Sequence, residues 1–156
     1  AEQVRPGQPR CKEAGGMLIL SPSTRDGGGG VYTIARIDRE IYSCVTKEIA
    51  TDEVVITGER VRHIKDRHPN DFEKYCNYIK RIVEEPDYIL EDRPNTALVL
   101  KEFTDDNKQL RLVLRLKTSS DNPEYKNSVL TFMKTNAKKW RQNINNKRIL
   151  YKRPNL

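Results

Sequence analysis

Residues 57–86 read TGERVRHIKDRHPNDFEKYCNYIKRIVEEP and hold both histidines of the chain, His63 and His68. Thr57 is a helix N-cap type, and Glu59 follows where a carboxylate meets the positive end of the helix dipole. Val61, Ile64 and His68 fall at i, i+3 and i+7, one face of a helix. Pro69 disfavours helical geometry at His68 and closes the helix there. Asn70 or Asp71 then caps a second helix. Phe72, Tyr75, Cys76, Ile79, Ile82 and Val83 give that helix an apolar stripe, which Glu84, Glu85 and Pro86 end. The spacing predicts two consecutive helices with His68 at their junction. His63 lies five residues earlier, about 140° around an ideal axis, so the two imidazoles point different ways.

Upstream, residues 1–30 are punctuated by RPGQPR, AGG, SPS and RDGGGG. That composition reads as a flexible arm or linker, with MLIL at 17–20 at most an edge strand. The chain begins without Met, so it reads as a possible fragment of something longer. Residues 31–156 are expected to form a single domain. VYTIARI at 31–37, IYSCV at 41–45 and EVVI at 53–56 predict short strands. Downstream, strands are predicted at 88–92, 96–103, 109–117, 127–134 and 148–152. Pro94-Asn95 and Asp105-Asp106-Asn107 mark turns. Thr135 to Asn145 predicts a helix carrying Trp140 as a core anchor.

The chain carries 29 Lys and Arg against 22 Asp and Glu, a formal net charge of +7. This excess favours a polyanion partner, with nucleic acid first, over a merely basic surface. Cys11, Cys44 and Cys76 form no CxxC pair, and the two histidines are scattered from them, which argues against a structural zinc site. Cys76 falls on the apolar stripe and reads as a buried thiol. No apolar run approaches the roughly 18 residues of a membrane span.

The strand QLRLVLRLK at 109–117 alternates most clearly. Leu110, Leu112, Leu114 and Leu116 line one face, the core. Arg111, Val113, Arg115 and Lys117 line the other. That second face is either a solvated surface of snorkelling cations or a phosphate-binding surface. If TALVLKEF buries Leu98 and Leu100, and NSVLTFMK buries Leu130 and Phe132, parity adds Lys101 and Thr131 to the arginine face. Tyr151 and Lys152 alternate, so only one of them joins it. The helix with Lys138, Lys139 and Arg141 either grips phosphates or is a solvated face.

RIDREIY at 36–42, VVITGERVRHIKDRHP at 54–69, PDYILEDRPNTALVLKEF at 86–103, LRLVLRLKT at 110–118, NSVLTF at 127–132 and ILYKR at 149–153 occur in this order. Together they resemble the phage-associated and polymorphic-toxin nuclease domains grouped with barnase, EndoU, colicin-type anticodon nucleases and RelE. The resemblance implies an α+β fold, with two consecutive N-terminal-side helices packed on an antiparallel sheet of four to five strands. It also implies a metal-independent ribonuclease without cofactor, often a toxin held in check by a cognate immunity or inhibitor protein. Such a toxin acts in the bacterial cytoplasm, secreted or delivered within a larger toxin or phage protein. Its site would combine His68 and His63 from the helical part with Lys101, Arg115, Ser128, Thr131, Tyr151 and Lys152 from the sheet.

The expected chemistry follows from this inventory. Attack of the 2′-OH on phosphorus needs a base, an acid for the leaving 5′-oxygen, and fixed cations for the phosphorane. His68 is assigned as base, and Arg115 with Lys101 as phosphorane stabilisers. Thr131 or Ser128 donates a hydrogen bond. The acid is His63 if the helix bends, and otherwise Tyr151 or Lys152. Arg111, Lys117, Lys152, Lys138, Lys139 and Arg141 are expected to contact RNA. Two other readings stand beside the enzyme: a nucleic-acid-binding module without chemistry, and an interaction domain of a phage structural protein. The bland alternatives are a helix cap for His68, a packed or capping His63, and turn chemistry for Asn127-Ser128.

Overall fold

The structure, a computed structural model, describes residues 30–156. The predicted arm, but for Gly30, and the MLIL segment lie outside the described residues. The elements in chain order are β1 (Val31–Arg36), α1 (Arg39–Tyr42), β2 (Glu53–Thr57), α2 (Gly58–Arg67) and α3 (Asp71–Tyr75). A 3₁₀ turn (Cys76–Tyr78), α4 (Ile79–Glu84), β3 (Tyr88–Glu91) and β4 (Thr96–Phe103) follow. The chain ends with β5 (Lys108–Arg115), β6 (Asn127–Thr135), α5 (Ala137–Asn146) and β7 (Ile149–Lys152).

The strands form one seven-stranded sheet in the order β1-β2-β6-β5-β4-β3-β7. This corrects the expected four to five strands. The sheet is also not wholly antiparallel, because β2 pairs with β6 in parallel. Alternation marks a strand but not its neighbours. Here the β1–β2 hairpin joins the sheet through β6, and β7 returns to pair with β3.

Two further expectations, one of a strand and one of a helix, also change. IYSCV is not a strand: Asp38 caps α1 by accepting from the Glu40 N–H at 3.0 Å. Tyr42 is fully buried and donates its hydroxyl to the Val83 carbonyl at 2.8 Å. A capped turn and a deep aromatic anchor outweigh the β propensity of the segment. The second predicted helix is broken into α3, the 3₁₀ turn and α4. Asn70 takes a left-handed φ of 76° and makes no side-chain cap. The tight turn lets Tyr75 stack on Tyr78 with centroids 6.4 Å apart, and Tyr78 meets Phe103 at 4.4 Å. Cys76 is buried as expected but is disulfide-bonded, not a thiol.

The helix α2 forms as its sequence predicts. The Thr57 hydroxyl accepts from the Arg60 N–H at 3.1 Å, and the His68 N–H reaches the Ile64 carbonyl at 2.8 Å. Ile64, Phe72, Ile79, Ile82 and Val83 pack on one sheet surface against Leu110, Leu112, Leu114, Val129 and Phe132. The opposite surface is covered in part by α5, where Trp140 and Ile144 meet Leu90, Leu98, Leu100 and Val113. Both surfaces of the central strands are therefore apolar, and polar groups are displaced toward the β1–β2–β6 side.

Candidate active site

The α5-side surface takes its polar groups from alternation. On β2, Val54 and Ile56 enter the main core, so Glu53, Val55 and Thr57 point to the other surface. Register then aligns Thr33, Val55, Ser128, Arg115 and Thr96 in one row across β1, β2, β6, β5 and β4. This row lies beside the patch that α5 covers.

Arg115 is the fixed cation of the row. Its guanidinium meets both Asp121 carboxylate oxygens, at 3.2 and 3.4 Å, and also donates to the Leu116 carbonyl. Asp121 is held in turn by the Thr118 N–H at 2.8 Å and the Thr118 hydroxyl at 3.2 Å. The Thr118 N–H and the Arg115 charge keep the Asp121 carboxyl below its usual range. This pairing fixes the position of the guanidinium on the row, with both terminal nitrogens turned to Asp121. Ser128, directly opposite Arg115, is half-buried and donates to the Lys126 carbonyl at 3.3 Å. Thr131 pairs with Val113 on the same surface, and its hydroxyl has no hydrogen-bond partner among the described residues.

Glu53 stands at the lower side of this row. It accepts from the Thr33 hydroxyl at 2.6 Å and pairs with Lys126 at 2.9 Å. The Thr33 hydrogen bond first, then Lys126, holds its carboxyl below the usual range. The sequence reading missed Glu53, Thr33, Lys126 and Asp121. The alternation of EVVI carried the signal for Glu53, since burying Val54 and Ile56 turns Glu53 toward the other surface.

The helix α2 closes the upper side. Beyond Ser128, β6 runs on without β2 beside it, and Arg60 donates to its Leu130 carbonyl at 3.3 Å. At about 100° per residue, His63 and Arg67 share the Arg60 side of the helix. His63 is exposed there. His68 is the C-cap residue of α2 and is half-buried. Both α2 and α3 pack against β6, with His68 at their junction. Glu53 precedes Val55, the partner of Ser128, and Arg60 touches β6 two residues beyond Ser128.

The remaining predicted groups separate from this cluster. Parity failed for Lys101: register sets it opposite Leu110, and Leu100 opposite Arg111. Lys101 is buried on the main-core surface, bonded to the Glu85 carbonyl at 2.6 Å and Asp87 at 3.2 Å. Parity also slipped on β6, where an irregularity buries Val129 in the main core and turns Leu130 toward α5. Tyr151 packs on the main core from β7, four strands from β6, about 19 Å at the usual strand spacing. Lys152 is exposed on β7 opposite Tyr88, and Lys117 lies just past β5, half-buried. Arg111 sits between Leu100 and Met133, with a buried Nε that has no partner. Burial pulls its pKa down, and Asp92 opposes that. Lys138, Lys139 and Arg141 are exposed on α5. Among the described residues, no group of three or more His, Cys, Asp or Glu is arranged for a metal, and no helix is long and apolar enough to cross a membrane.

Comparison with known proteins adds one finding. The sequence model of the phage-Barnase-EndoU-ColicinE5/D-RelE like nuclease2 family matches residues 33–152. The same search among curated proteins and among solved structures gives no match.

Proposed function

We propose, on the premise that this chain belongs to the phage-Barnase-EndoU-ColicinE5/D-RelE like nuclease2 family, that its nuclease activity cleaves RNA without a metal. The observation that carries this reading is the Arg115 fork, braced by Asp121 and set directly opposite Ser128. A phosphate seated there meets a fixed cation and the hydroxyls of Ser128 and Thr131. The 2′-oxygen attacks phosphorus, a P–O2′ bond forms and the P–O5′ bond breaks. Glu53 accepts the 2′-OH proton, and the His63 imidazolium gives a proton to the departing 5′-oxygen. Arg115 neutralises the non-bridging oxygens while the phosphorane exists. The products carry a 2′,3′-cyclic phosphate and a 5′-hydroxyl.

The test is cleavage of total RNA and tRNA in excess EDTA, with analysis of fragment ends. Wild type is expected to leave cyclic-phosphate ends. Arg115→Ala is expected to lose about 10²–10³ in rate, and His63→Ala about 10²–10⁴. His68→Ala is expected to lose far less. Cleavage abolished by EDTA would sink the metal-independent mechanism. Loss confined to His68→Ala would move the proton chemistry to the helix junction.

The same reading makes this chain a toxin domain acting in the bacterial cytoplasm and matched by an inhibitor protein. Expression in a bacterium would then arrest growth with wild type and not with Arg115→Ala. Equal growth of both would remove the toxin role.

A further inference from the structure

The net positive charge of this chain comes from its C-terminal part. After Glu124 there is no Asp or Glu, and the segment 125–156 holds nine of the 29 Lys and Arg. The preceding residues 1–124 therefore hold 20 Lys and Arg against all 22 acids, a balance of −2. Three of the nine, Lys126, Lys147 and Arg153, pair with Glu53, Asp92 and Asp87 of the preceding part. Among the described residues before Tyr125, Arg36 pairs with Asp52, Lys65 with Glu73, Lys80 with Glu84 and Arg115 with Asp121, whereas others such as Lys47 and Lys74 have no ion pair. Lys134, Lys138, Lys139, Arg141, Arg148 and Lys152 are all exposed, and none has an acid partner among the described residues.

These cations are held on rigid elements. Trp140 and Ile144 seat α5 on the sheet, and the Trp140 ring meets Tyr88 edge-on at 6.0 Å. The Asn136 side chain caps the helix by accepting from the Lys139 N–H at 2.8 Å. Lys138, Lys139 and Arg141 thus stand on the outer side of a helix fixed at one end to β6, the strand that carries Ser128 and Thr131. From Ser128 to Thr135, β6 spans about 23 Å at the usual rise per residue. A phosphate chain that lies on α5 and reaches Ser128 must therefore run for several nucleotides.

We propose that α5, with β7 beside it, is the docking surface for the RNA backbone away from the cleaved bond. This deepens the preceding reading and rests on it for the identity of the polyanion. The substrate class is an extended RNA strand, not a dinucleotide-sized fragment. Lys and Arg facing phosphates carry no base preference, so the surface supplies affinity and position while base choice lies at the row.

The experiment measures binding of a 2′-O-methyl RNA of about 20 nucleotides, which lacks the attacking hydroxyl, across a range of salt. The variant Lys138→Ala/Lys139→Ala/Arg141→Ala is compared with a control of equal charge change, Lys47→Ala/Lys74→Ala/Lys80→Ala. If each of the three α5 cations meets one phosphate of a single strand, the salt slope falls by about 2 and affinity near 0.1 M salt drops about a hundredfold. The control is expected to lose much less. Equal loss in both variants would reduce the effect to overall charge and overturn the proposal. Unchanged affinity in the α5 variant would also overturn it and leave an acidic protein as the occupant of this face. The probe cannot be cleaved by 2′-OH attack, so loss of binding in the α5 variant supports the surface even if wild type fails the cleavage test. Wild type that cleaves RNA while both variants bind equally leaves the cleavage reading standing and removes this one.

Discussion

Asp87 shows how a residue drawn from a loop can hold a sheet together. It is buried at 2% exposure, pairs with Lys101 at 3.2 Å and Arg153 at 2.8 Å, and accepts from the Glu102 N–H at 2.9 Å. Asp87→Ala leaves the Lys101 ammonium buried without its charge partner and is expected to cost about 3–5 kcal/mol, read by urea denaturation. A loss well under this would mean that Lys101 swings out to water. Glu53 makes a pH prediction at the same scale. Its carboxyl is held below its ordinary value by the Thr33 hydroxyl and Lys126. A folded-state pKa below the unfolded one means stability present above the unfolded value and lost as pH falls through the folded one. Wild type should therefore lose stability against Glu53→Gln as acid is added below the usual glutamate range. Parallel pH–stability curves for the two proteins would remove Glu53 from that account. Lys101 was legible as a strand residue but not as a buried one, because parity assigns a face only once the core face is known. On β4 both faces are core.

Asn127 acts between elements. It opens β6, is fully buried, and accepts from the Lys117 N–H at 2.7 Å. Its amide donates to the carbonyls of Thr51 at 2.8 Å and Glu53 at 3.0 Å. One side chain thereby ties the segment after β5 to the segment entering β2, next to the parallel β2–β6 pair. Asn127→Ala leaves buried backbone groups unpaired and is expected to cost about 2–4 kcal/mol. Hydrogen exchange should quicken first in β1 and β2, and exchange that quickens uniformly would deny the local role. In sequence, Asn127-Ser128 reads equally well as turn chemistry. The helix α2 was the opposite case: Thr57, Ile64 and His68-Pro69 act within one helix, so spacing was enough. Which side of α2 meets β6 was not legible, because the Arg60 contact to Leu130 spans seventy positions.

At the scale of the molecule, Arg115 on β5 and the acid-free basic helix α5 stand on separate elements. Arg115 is half-exposed and braced by Asp121, whereas α5 carries exposed cations and no acid. Salt is therefore expected to weaken RNA affinity steeply while leaving the Arg115–Asp121 fork in place. Measured rates at saturating RNA should then change less with salt than rates at limiting RNA, and equal dependence would argue against this separation. By itself the sequence determined what local forces decide. The α2 helix and its caps follow from backbone chemistry within one turn, and most strands from period-two alternation. The basic excess follows from counting, and the nuclease family from the order of short motifs. Tertiary structure alone decided the sheet order, the parallel β2–β6 joint, the burial of Lys101, and the side of α2 from which Arg60 reaches β6. These depend on which distant strands become neighbours and which side of a helix meets them, and one-residue slips such as that near Leu130 reverse a face without changing the pattern that predicts it.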